Sequence, residues 1–512
     1  MPERLTPLEV SLLALDTLRT PAHVGTVAVL EPAPDGGIDH DRLRAVIAGR
    51  LPYVPRYRQR VLTVPGRLAG PVWVDDEDFD LSFHVRPAAL PRPGTPEQLR
   101  ELVAQVMARR LDRSRPLWEV YVVEGLEGGR VALVEKSHLA LVDGDDTVDL
   151  AQVLLDAEPG PVAEGAPPGW NPALEPSPTD LVVGALWESA QDPTRAVANL
   201  RGLVVGALGV AVTVGEVVGG TVGAGLGALA EDALRGGRPP AGSPLAGPVS
   251  ARRRFGTLRV PLADLQTVHT AHGATVNDVV LAVVAGGLRS WLLTRGELRG
   301  SRTTLRALVP RTVLEDVGGR SSLGVQVAPL LQPLPVGEAD PLVRLHQVAD
   351  GSKAHRDSGR AVDARTLTDI AGFAPATLHT LGARASAETV RRPHDLLVTN
   401  VPGPQLPLHA AGGRLSATYP VVPLETGHLL AVGVTSYDGE VFFGLTADRE
   451  AVGDLDVLLQ GLEDALAELL YTTDQAVEEI VVEEIVVEEI VAEEIVAETT
   501  DESTGTAPDG AR

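Results

Sequence analysis

The sequence predicts an α/β fold made of two globular lobes that are joined by a long connecting segment. Short apolar runs alternate with stretches of helical spacing in residues 1–156 and again in residues 251–470, as strands and helices do. Between them, residues 157–250 are dense in Pro, Gly and Ala, a composition typical of linkers. The chain has 512 residues, of which 44% are hydrophobic, so both lobes have enough apolar side chains to form a core.

In the first lobe, one helix and two strands are predicted most clearly. Residues 26–30 (TVAVL) form a short apolar run that indicates a strand. Residues 131–138 (VALVEKSH) follow a Glu-Gly-Gly turn and indicate a second strand. Residues 96–110 predict a helix, because apolar side chains recur there at helical spacing and share one face, namely Leu99, Leu102, Val103 and Val106.

The second lobe begins with the pattern of a long buried helix at residues 275–293, with Thr275 or Asn277 as its N-terminal cap. Four apolar runs that follow predict strands, and a helical pattern closes the lobe. The predicted strands are residues 305–310, 395–401, 429–436 and 441–446, and the predicted helix is residues 454–470.

The composition excludes several classes of site. The chain contains no cysteine, which rules out disulfides, a thiolate nucleophile and Cys-ligated metals and fits a cytoplasmic protein. Its formal net charge is −25, the wrong sign for a surface that binds nucleic acid. Residues 471–512 hold 13 acidic side chains and one Arg. Their five-residue repeat at 477–498 forms no continuous apolar face, so we predict a solvated acidic tail.

One segment, residues 202–230, resembles a membrane segment. It is apolar except for Glu216 near its middle, and the run on either side of Glu216 is shorter than the roughly 20 residues that a spanning helix needs. We therefore predict a buried or interfacial helical hairpin, with a spanning helix as the alternative. The N-terminus lacks a basic region followed by an apolar one, so no secretory signal is expected.

The segment Lys136 to Gly144 (KSHLALVDG) is the candidate site. It follows the strand at 131–138 and ends in a turn at Asp143 and Gly144. A His that leaves a strand five residues before an Asp could be a general base with an orienting carboxylate. A His beside an Asp-Gly turn is also common without any chemistry. Motifs of zinc proteases, P-loop proteins and serine hydrolases are absent from the sequence.

Several stretches in the same order resemble one protein family. They include LPYVPRYRQRV, PVWVDDEDFDLSFHVRPAALPRPG, LDRSRPLWEVYVVEGLEGGRVALVEKSHLALVDG, GATVNDVVLAVVAGGLRSWLL and LVTNVPGPQLPLHAAGGRL. Pro116, Leu117 and Trp118 match a PLW motif, and Asn277 and Asp278 match an ND motif. From about Leu5 to Leu470, the chain resembles the bacterial wax ester synthase/diacylglycerol acyltransferase family of actinobacterial type.

The resemblance implies two chloramphenicol-acetyltransferase-like lobes with a tunnel at their interface. It also implies transfer of a fatty acyl group from acyl-CoA to diacylglycerol or a long-chain alcohol, without a metal or other cofactor. In the family motif HHxxxDG, the second His is the general base and the Asp holds the shape of the loop. The resemblance also implies that the protein is cytoplasmic and binds peripherally to the inner face of the membrane or to lipid droplets.

The motif of this chain departs from the family pattern. In an alignment without gaps, His138 matches the first His, Asp143 matches the Asp, and Leu139 stands where the second His belongs. Leucine has no lone pair and cannot accept a proton. The alternative is a one-residue bulge at Leu139 that turns His138 into the catalytic position. If no base is present, the chain could be a weakly active or non-catalytic relative that binds acyl-CoA or lipid.

Other matched positions have structural and functional interpretations. Trp118 is expected in the core, and Asp278 as a hydrogen-bonding partner near the lobe interface. Asn277 could cap the helix or donate to a developing oxyanion. Arg311 could meet the phosphates of coenzyme A or form a surface ion pair. His428 is assigned no role.

Overall fold

The computed structural model describes residues 2–33, 38–67, 69–141, 154–158, 170–191, 239–315, 324–356 and 393–473. These residues form two six-stranded mixed sheets, one three-stranded sheet and helices that pack on them. The predicted α/β class is therefore confirmed. Residues 474–512 of the predicted acidic tail and the segment 202–230 lie outside the described residues, as do Asp143 and Gly144.

The strands are β1 (Glu3–Arg4), β2 (His23–Leu30), β3 (Gln59–Leu62), β4 (Val72–Asp75), β5 (Val85–Ala89), β6 (Trp118–Glu124), β7 (Val131–His138), β8 (Arg253–Pro261), β9 (Leu305–Glu315), β10 (Gly324–Leu334), β11 (Leu396–Val401), β12 (His409–Ala410), β13 (Gly413–Val421), β14 (Leu430–Tyr437) and β15 (Glu440–Asp448). The helices longer than one turn are α1 (Pro7–Leu15), α2 (His40–Arg50), α3 (Leu81–His84), α4 (Pro96–Ala108), α5 (Pro178–Gln191), α6 (Leu262–His272), α7 (Val276–Thr294), α8 (Pro341–Arg356) and α9 (455–473).

The predicted elements agree with the structure in type. The predicted strands correspond to β2, β7, β9, β11, β14 and β15, with ends that differ by a few residues, and the predicted helices correspond to α4, α7 and α9. The cap of α7 is Thr275, which forms a reciprocal capping box with Asp278. The expectation that Asn277 caps this helix is therefore wrong. The side chain of Asn277 does not take part in the cap and can form other hydrogen bonds.

The first large sheet contains a strand pair from the second half of the chain. The first sheet has the order β12-β13-β2-β7-β6-β5, and the second has the order β10-β9-β11-β14-β15-β8. Strands β12 and β13 come from the second half of the chain, yet β13 pairs with β2 up to the partners Val421 and Gly25. The chain then returns to the second sheet at β14. The pairing of β13 with β2 therefore joins the two halves of the chain through backbone hydrogen bonds.

Helix α7 is the centre of the second lobe's core. Thirteen of its residues are buried. Among the described residues it is long and apolar enough to cross a membrane, but its burial identifies it as a core helix. Gly286 and Gly287 allow α9 to approach it closely: a Cβ added at Gly287 would lie 2.5 Å from Leu462 Cδ2. The contact of α7 with α9 therefore depends on the missing side chains.

We expect Gly287→Ala to destabilise the protein by about 1–3 kcal/mol, because the added methyl group overpacks this contact. The matched control is Gly184→Ala on α5, where nothing lies within 4 Å of the added Cβ. The control should leave stability unchanged or raise it slightly, since Ala favours helix over Gly. Urea unfolding curves of both variants give the measurement. Equal midpoints for Gly287→Ala and wild type would contradict the close approach.

Candidate active site

The candidate motif begins at the end of β7, where two backbone hydrogen bonds to neighbouring segments hold the chain in register. His138 lies opposite His23 of β2. The His138 N–H donates to Leu117 O (2.9 Å), and the Leu139 N–H donates to Ala22 O (3.0 Å). The pairing of Leu139 with Ala22 continues the step of one residue that relates β2 to β7. No bulge interrupts the ladder at these residues.

His138 is fully buried on the side of the sheet that faces Asp16. Its Nδ1 accepts a hydrogen bond from the Ala140 N–H at 3.0 Å. In a neutral ring the proton must then be on Nε2. Nε2 lies 3.8 Å from Asp16 Oδ2, and the His23 ring stands edge-on at 5.6 Å. Both nitrogens of His138 are therefore directed at protein groups.

Asp16 binds two arginines at the end of α1. Arg110 and Arg113 donate to its Oδ2 at 2.9 and 2.8 Å, and the Ala22 N–H donates to its Oδ1 at 3.2 Å. Burial opposes the charge, but the contacts with His138 and Arg110 prevail and lower the pKa of Asp16 well below its ordinary value. Asp16 is thus a permanent buried anion that joins α1 to the segment after α4.

The two histidines beside Asp16 are neutral at physiological pH. Burial lowers the pKa of His23 well below its ordinary value, and the charge of Lys136 lowers it further. Burial also lowers the pKa of His138, although Asp16 opposes the shift. Asp16, His23 and His138 could each offer one atom to a metal ion, and these three atoms lie within 4.8 Å of one another. The guanidinium groups of Arg110 and Arg113 already neutralise the carboxylate, so this cluster is poorly suited to a metal cation.

Leu139 faces the opposite side of the strand and is 7% exposed. It belongs to a small apolar cluster with Leu12, Ala22, Val24 and Ala140, so α1 covers it. Ser137, two residues earlier on the same face, is also buried, and its Oγ has no hydrogen-bond partner among the described residues. Position 139 therefore sits in an apolar environment with one hydroxyl nearby on its face of the strand.

The PLW residues hold the end of β7 from its other side. Pro116, Leu117 and Trp118 are buried, and Leu117 supplies the carbonyl that binds the His138 N–H. Trp118 Nε1 donates to Tyr57 O at 2.7 Å, and its ring stacks on His84 at 4.6 Å. Each polar group of the Trp is thus satisfied inside the core, which indicates packing and positioning.

The ND residues lie at the start of α7. Asp278 Oδ2 accepts from the Thr275 N–H (3.0 Å) and hydroxyl (2.7 Å), which completes the capping box. Asn277 Oδ1 accepts from Asn400 Nδ2 at 3.0 Å, at the end of β11. Asn277 Nδ2 is buried without a hydrogen-bond partner in the described parts of the chain. Arg311 lies on β9, and its side chain is outside the described set.

Sequence reasoning missed the polar residues that surround His138. Asp16, His23, Arg110 and Arg113 are separated from it by up to 122 positions in the sequence, and only the fold brings them together. Lys136 belongs to the candidate segment but was assigned no role: it is fully buried, and its Nζ donates to the carbonyl oxygens of Val106 (3.1 Å) and Arg109. Burial lowers the pKa of Lys136 to about 8. The one sequence feature that could have indicated these buried polar groups was an apolar strand interrupted by Lys136 and His138.

Family models match most of the chain. Residues 5–280 match the catalytic domain of wax ester synthase/diacylglycerol acyltransferase, and residues 323–470 match the C-terminal domain of the same family. Among curated proteins, a probable diacylglycerol O-acyltransferase of Mycobacterium tuberculosis is 34% identical over 448 residues, 87% of this chain and 91% of that protein. A second from the same species is 31% identical over 479 residues, 91% and 98% of the two chains.

Solved structures agree in fold. The wax ester synthase/diacylglycerol acyltransferase of Marinobacter aquaeolei VT8 superposes with a TM-score of 0.64 at 26% identity, over 92% of this chain and all of that one. The first condensation domain of the calcium-dependent antibiotic synthetase gives a TM-score of 0.50 at 15% identity, over 92% and 97% of the two chains. The second likeness concerns the fold alone.

We expect Asp16→Asn to destabilise the protein by about 1–3 kcal/mol at neutral pH, because it removes the buried anion that accepts hydrogen bonds from Arg110 and Arg113, whose side chains are 30% and 42% exposed. The folded-state pKa of Asp16 lies below its unfolded value of about 3.9. Its stabilising contribution is therefore complete above about pH 4 and is lost as the pH falls below that value. Urea unfolding of both proteins at a series of pH values should give a constant difference from pH 5 to 8 that shrinks in acid.

The control for this variant is Asp41→Asn, whose carboxylate is 90% exposed and should contribute little at any pH. An Asp16→Asn protein as stable as wild type at pH 7 would show that the buried anion does not support the fold. A difference independent of pH down to pH 2 would contradict the assigned ionisation.

Proposed function

The chain belongs to the wax ester synthase/diacylglycerol acyltransferase family, and from this membership we propose how its own residues serve acyl transfer. The function is that of an O-acyltransferase, which moves a fatty acyl group from acyl-CoA to diacylglycerol or a long-chain alcohol. In the reaction the acceptor hydroxyl oxygen attacks the thioester carbonyl, the C–S bond breaks, and the hydroxyl proton must pass to a base while the thiolate of coenzyme A leaves.

We propose that Leu139 occupies the general-base position of the family motif. The observation that carries this proposal is the unbroken register of β7, in which His138 opposes His23 and the Leu139 N–H binds Ala22 O. An insertion at Leu139 would shift that register by one residue. The regular ladder thus supports the alignment without gaps and gives no support to the bulge alternative.

His138 is a poor replacement for the missing base. Its Nδ1 lone pair is used by the Ala140 N–H, and its Nε2–H faces Asp16. To accept a proton from a substrate, the ring would have to break the first bond and leave a buried amide unsatisfied. We therefore assign His138 a positioning role: it connects the turn at Ala140 to the anion of Asp16.

We propose slow turnover as the consequence for this chain. A missing general base typically costs about 10²–10⁴-fold in rate, while binding of the substrates and stabilisation of the oxyanion remain. Asn277 is a candidate for stabilising the oxyanion, since its buried Nδ2 can donate a hydrogen bond and has no acceptor among the described residues. The comparisons favour an acyltransferase over a purely lipid-binding relative.

The variant Leu139→His should raise the rate of acyl transfer from palmitoyl-CoA to diacylglycerol or hexadecanol by about 10²-fold or more, because it restores a proton acceptor. The buried imidazole is more polar than Leu and lowers stability unless Ser137 or the substrate binds its second nitrogen. The measurement is the initial rate per folded enzyme, with the folded fraction taken from circular dichroism.

His138→Ala is the matched control. It should lower stability and leave the slow basal rate per folded molecule nearly unchanged. A fully active wild type that His138→Ala inactivates, together with no gain from Leu139→His, would refute the assigned alignment. Acyl-CoA binding without transfer by any of the three proteins would support the non-catalytic alternative.

We also propose that the protein works as a peripheral partner of the membrane or of lipid droplets on the cytoplasmic side. Its substrates are lipids, and residues 202–230 are apolar apart from Glu216. A carboxylate in mid-bilayer is costly, so this segment favours the interface. Helix α5, which precedes this segment in the sequence, exposes the apolar side chains of Val183 and Trp187, at 60% and 61%.

Purified protein should float with liposomes of neutral lipids and be released by alkaline carbonate, because an interfacial segment is held less firmly than a spanning one. Leu208→Asp in the segment should reduce flotation. Leu406→Asp, at a side chain of the second lobe that is 60% exposed, should not. Resistance to carbonate would show integral insertion, and equal flotation of both variants would exclude residues 202–230 as the contact.

A further inference from the structure

A second cluster of two histidines and a carboxylate lies where the chain passes from the first sheet to the second. His394 precedes β11, and Glu425 and His428 lie in the connection between β13 and β14. Glu425 Oε2 is 3.2 Å from His394 Nε2 and 3.8 Å from His428 Nδ1. All three ligand atoms lie within 4.8 Å of one another, and both histidines are buried.

The hydrogen bonds of His428 fix which of its nitrogens carries the proton. Its Nε2 lies 3.1 Å from the backbone oxygen of His394. A carbonyl oxygen only accepts, so Nε2 must donate, and in the neutral ring Nδ1 bears a lone pair. That lone pair faces the Glu425 carboxylate, and Nδ1 has no hydrogen-bond partner among the described residues. Both groups only accept hydrogen bonds in this state, so a cation between Nδ1 and the partly exposed Glu425 carboxylate would bind to both.

Burial disfavours a proton as that cation. It lowers the pKa of His428 below its ordinary value, although the charge of Glu425 opposes the shift. Because Nε2–H is used by the carbonyl of His394, the lone pair of Nδ1 is available to a metal ion. The Nε2–H bond to a backbone carbonyl is also the outer contact that metal-binding histidines usually make, because it orients the ring.

The surrounding charges distinguish this cluster from the one at Asp16. The side chains that act most strongly on His428 are Glu425, His394 and the carboxylate of Asp395. Those that act on His138 include Arg113 and Arg110. A dication is thus attracted to the first environment and repelled by the second.

We propose that His394, Glu425 and His428 bind one divalent transition-metal ion of the zinc type. Two imidazole nitrogens and one carboxylate oxygen are ligands that Zn²⁺ accepts, and water can take the fourth position because Glu425 is partly exposed. The two rings now stack at 4.3 Å with planes 17° apart. Their lone pairs converge on one ion only when a ring turns about its Cβ–Cγ bond, so binding opens the stack.

The ion would fasten the connection between the lobes. Thr426, next to Glu425, has its Oγ1 3.4 Å from Thr20 Oγ1 in the first lobe. Gly427 O accepts from the Gly247 N–H at 3.0 Å, in the connecting segment just before the second lobe. The site is therefore structural in this proposal, and acyl transfer does not pass through it.

Zn²⁺ titration of the full-length, tag-free and metal-stripped protein tests the proposal. Calorimetry in excess Mg²⁺, which occupies sites made of carboxylates alone, should show one Zn²⁺ per chain. Co²⁺ in its place should give the visible absorption of a four-coordinate site with nitrogen ligands. Zn²⁺ should also raise the melting temperature, because it binds only the folded chain.

Glu425→Gln and His428→Gln should each weaken Zn²⁺ binding by more than the roughly 10–100-fold that loss of an outer contact costs. His409→Gln, which alters a histidine outside the cluster, should bind as wild type does. If His428→Gln does not fold, the partly exposed Glu425→Gln decides alone. Folded wild type that takes up no Zn²⁺, or uptake that Glu425→Gln leaves unchanged, would overturn the proposal. Zn²⁺ binding is read without acyl transfer, so its failure leaves the proposed function untouched.

Discussion

The antiparallel pairing of β2 with β7 is the constraint on which the site depends. Because side chains alternate across a strand, the register that sets His138 opposite His23 also sends Leu139 to the other face. One face receives buried charge from Asp16 and its arginines. The other receives the apolar side chains of α1. A shift of one residue would place a Leu among ions and a His among hydrocarbon side chains, and both exchanges cost free energy.

The same combination of two imidazoles and one carboxylate occurs twice in the described structure and serves two purposes. At Asp16 the carboxylate is bound by the guanidinium groups of Arg110 and Arg113, and burial keeps the neighbouring histidines neutral. At Glu425 the strongest neighbours of His428 are carboxylates and a second imidazole. Composition alone does not distinguish the two clusters. The fixed charges within a few ångströms decide whether a cation is repelled or attracted.

The sequence predicted the elements that are local and the chemistry that is written in a motif. Helix α7 could be read from its periodicity, and the departure at Leu139 from its neighbours in the chain. Contacts between distant segments could not be predicted in this way: the pairing of β13 with β2 joins residues almost 400 positions apart, and apolar alternation does not name a partner strand. His428 looked unimportant for the same reason, since its partner His394 is 34 residues away. The choice of Thr275 over Asn277 as the helix cap differs by two residues, within the usual uncertainty of helix ends.

Because β13 from the second half of the chain completes the first sheet, the order of synthesis on the ribosome affects how that sheet forms. Until residue 421 has left the exit tunnel, β2 has a neighbour on one side only, and its apolar segment HVGTVAVL is an open edge. Open edges of this kind pair readily with other chains. Almost 300 residues are translated after β7 before β13 can pair with β2, and the edge of β2 stays open to pairing with other chains during that interval.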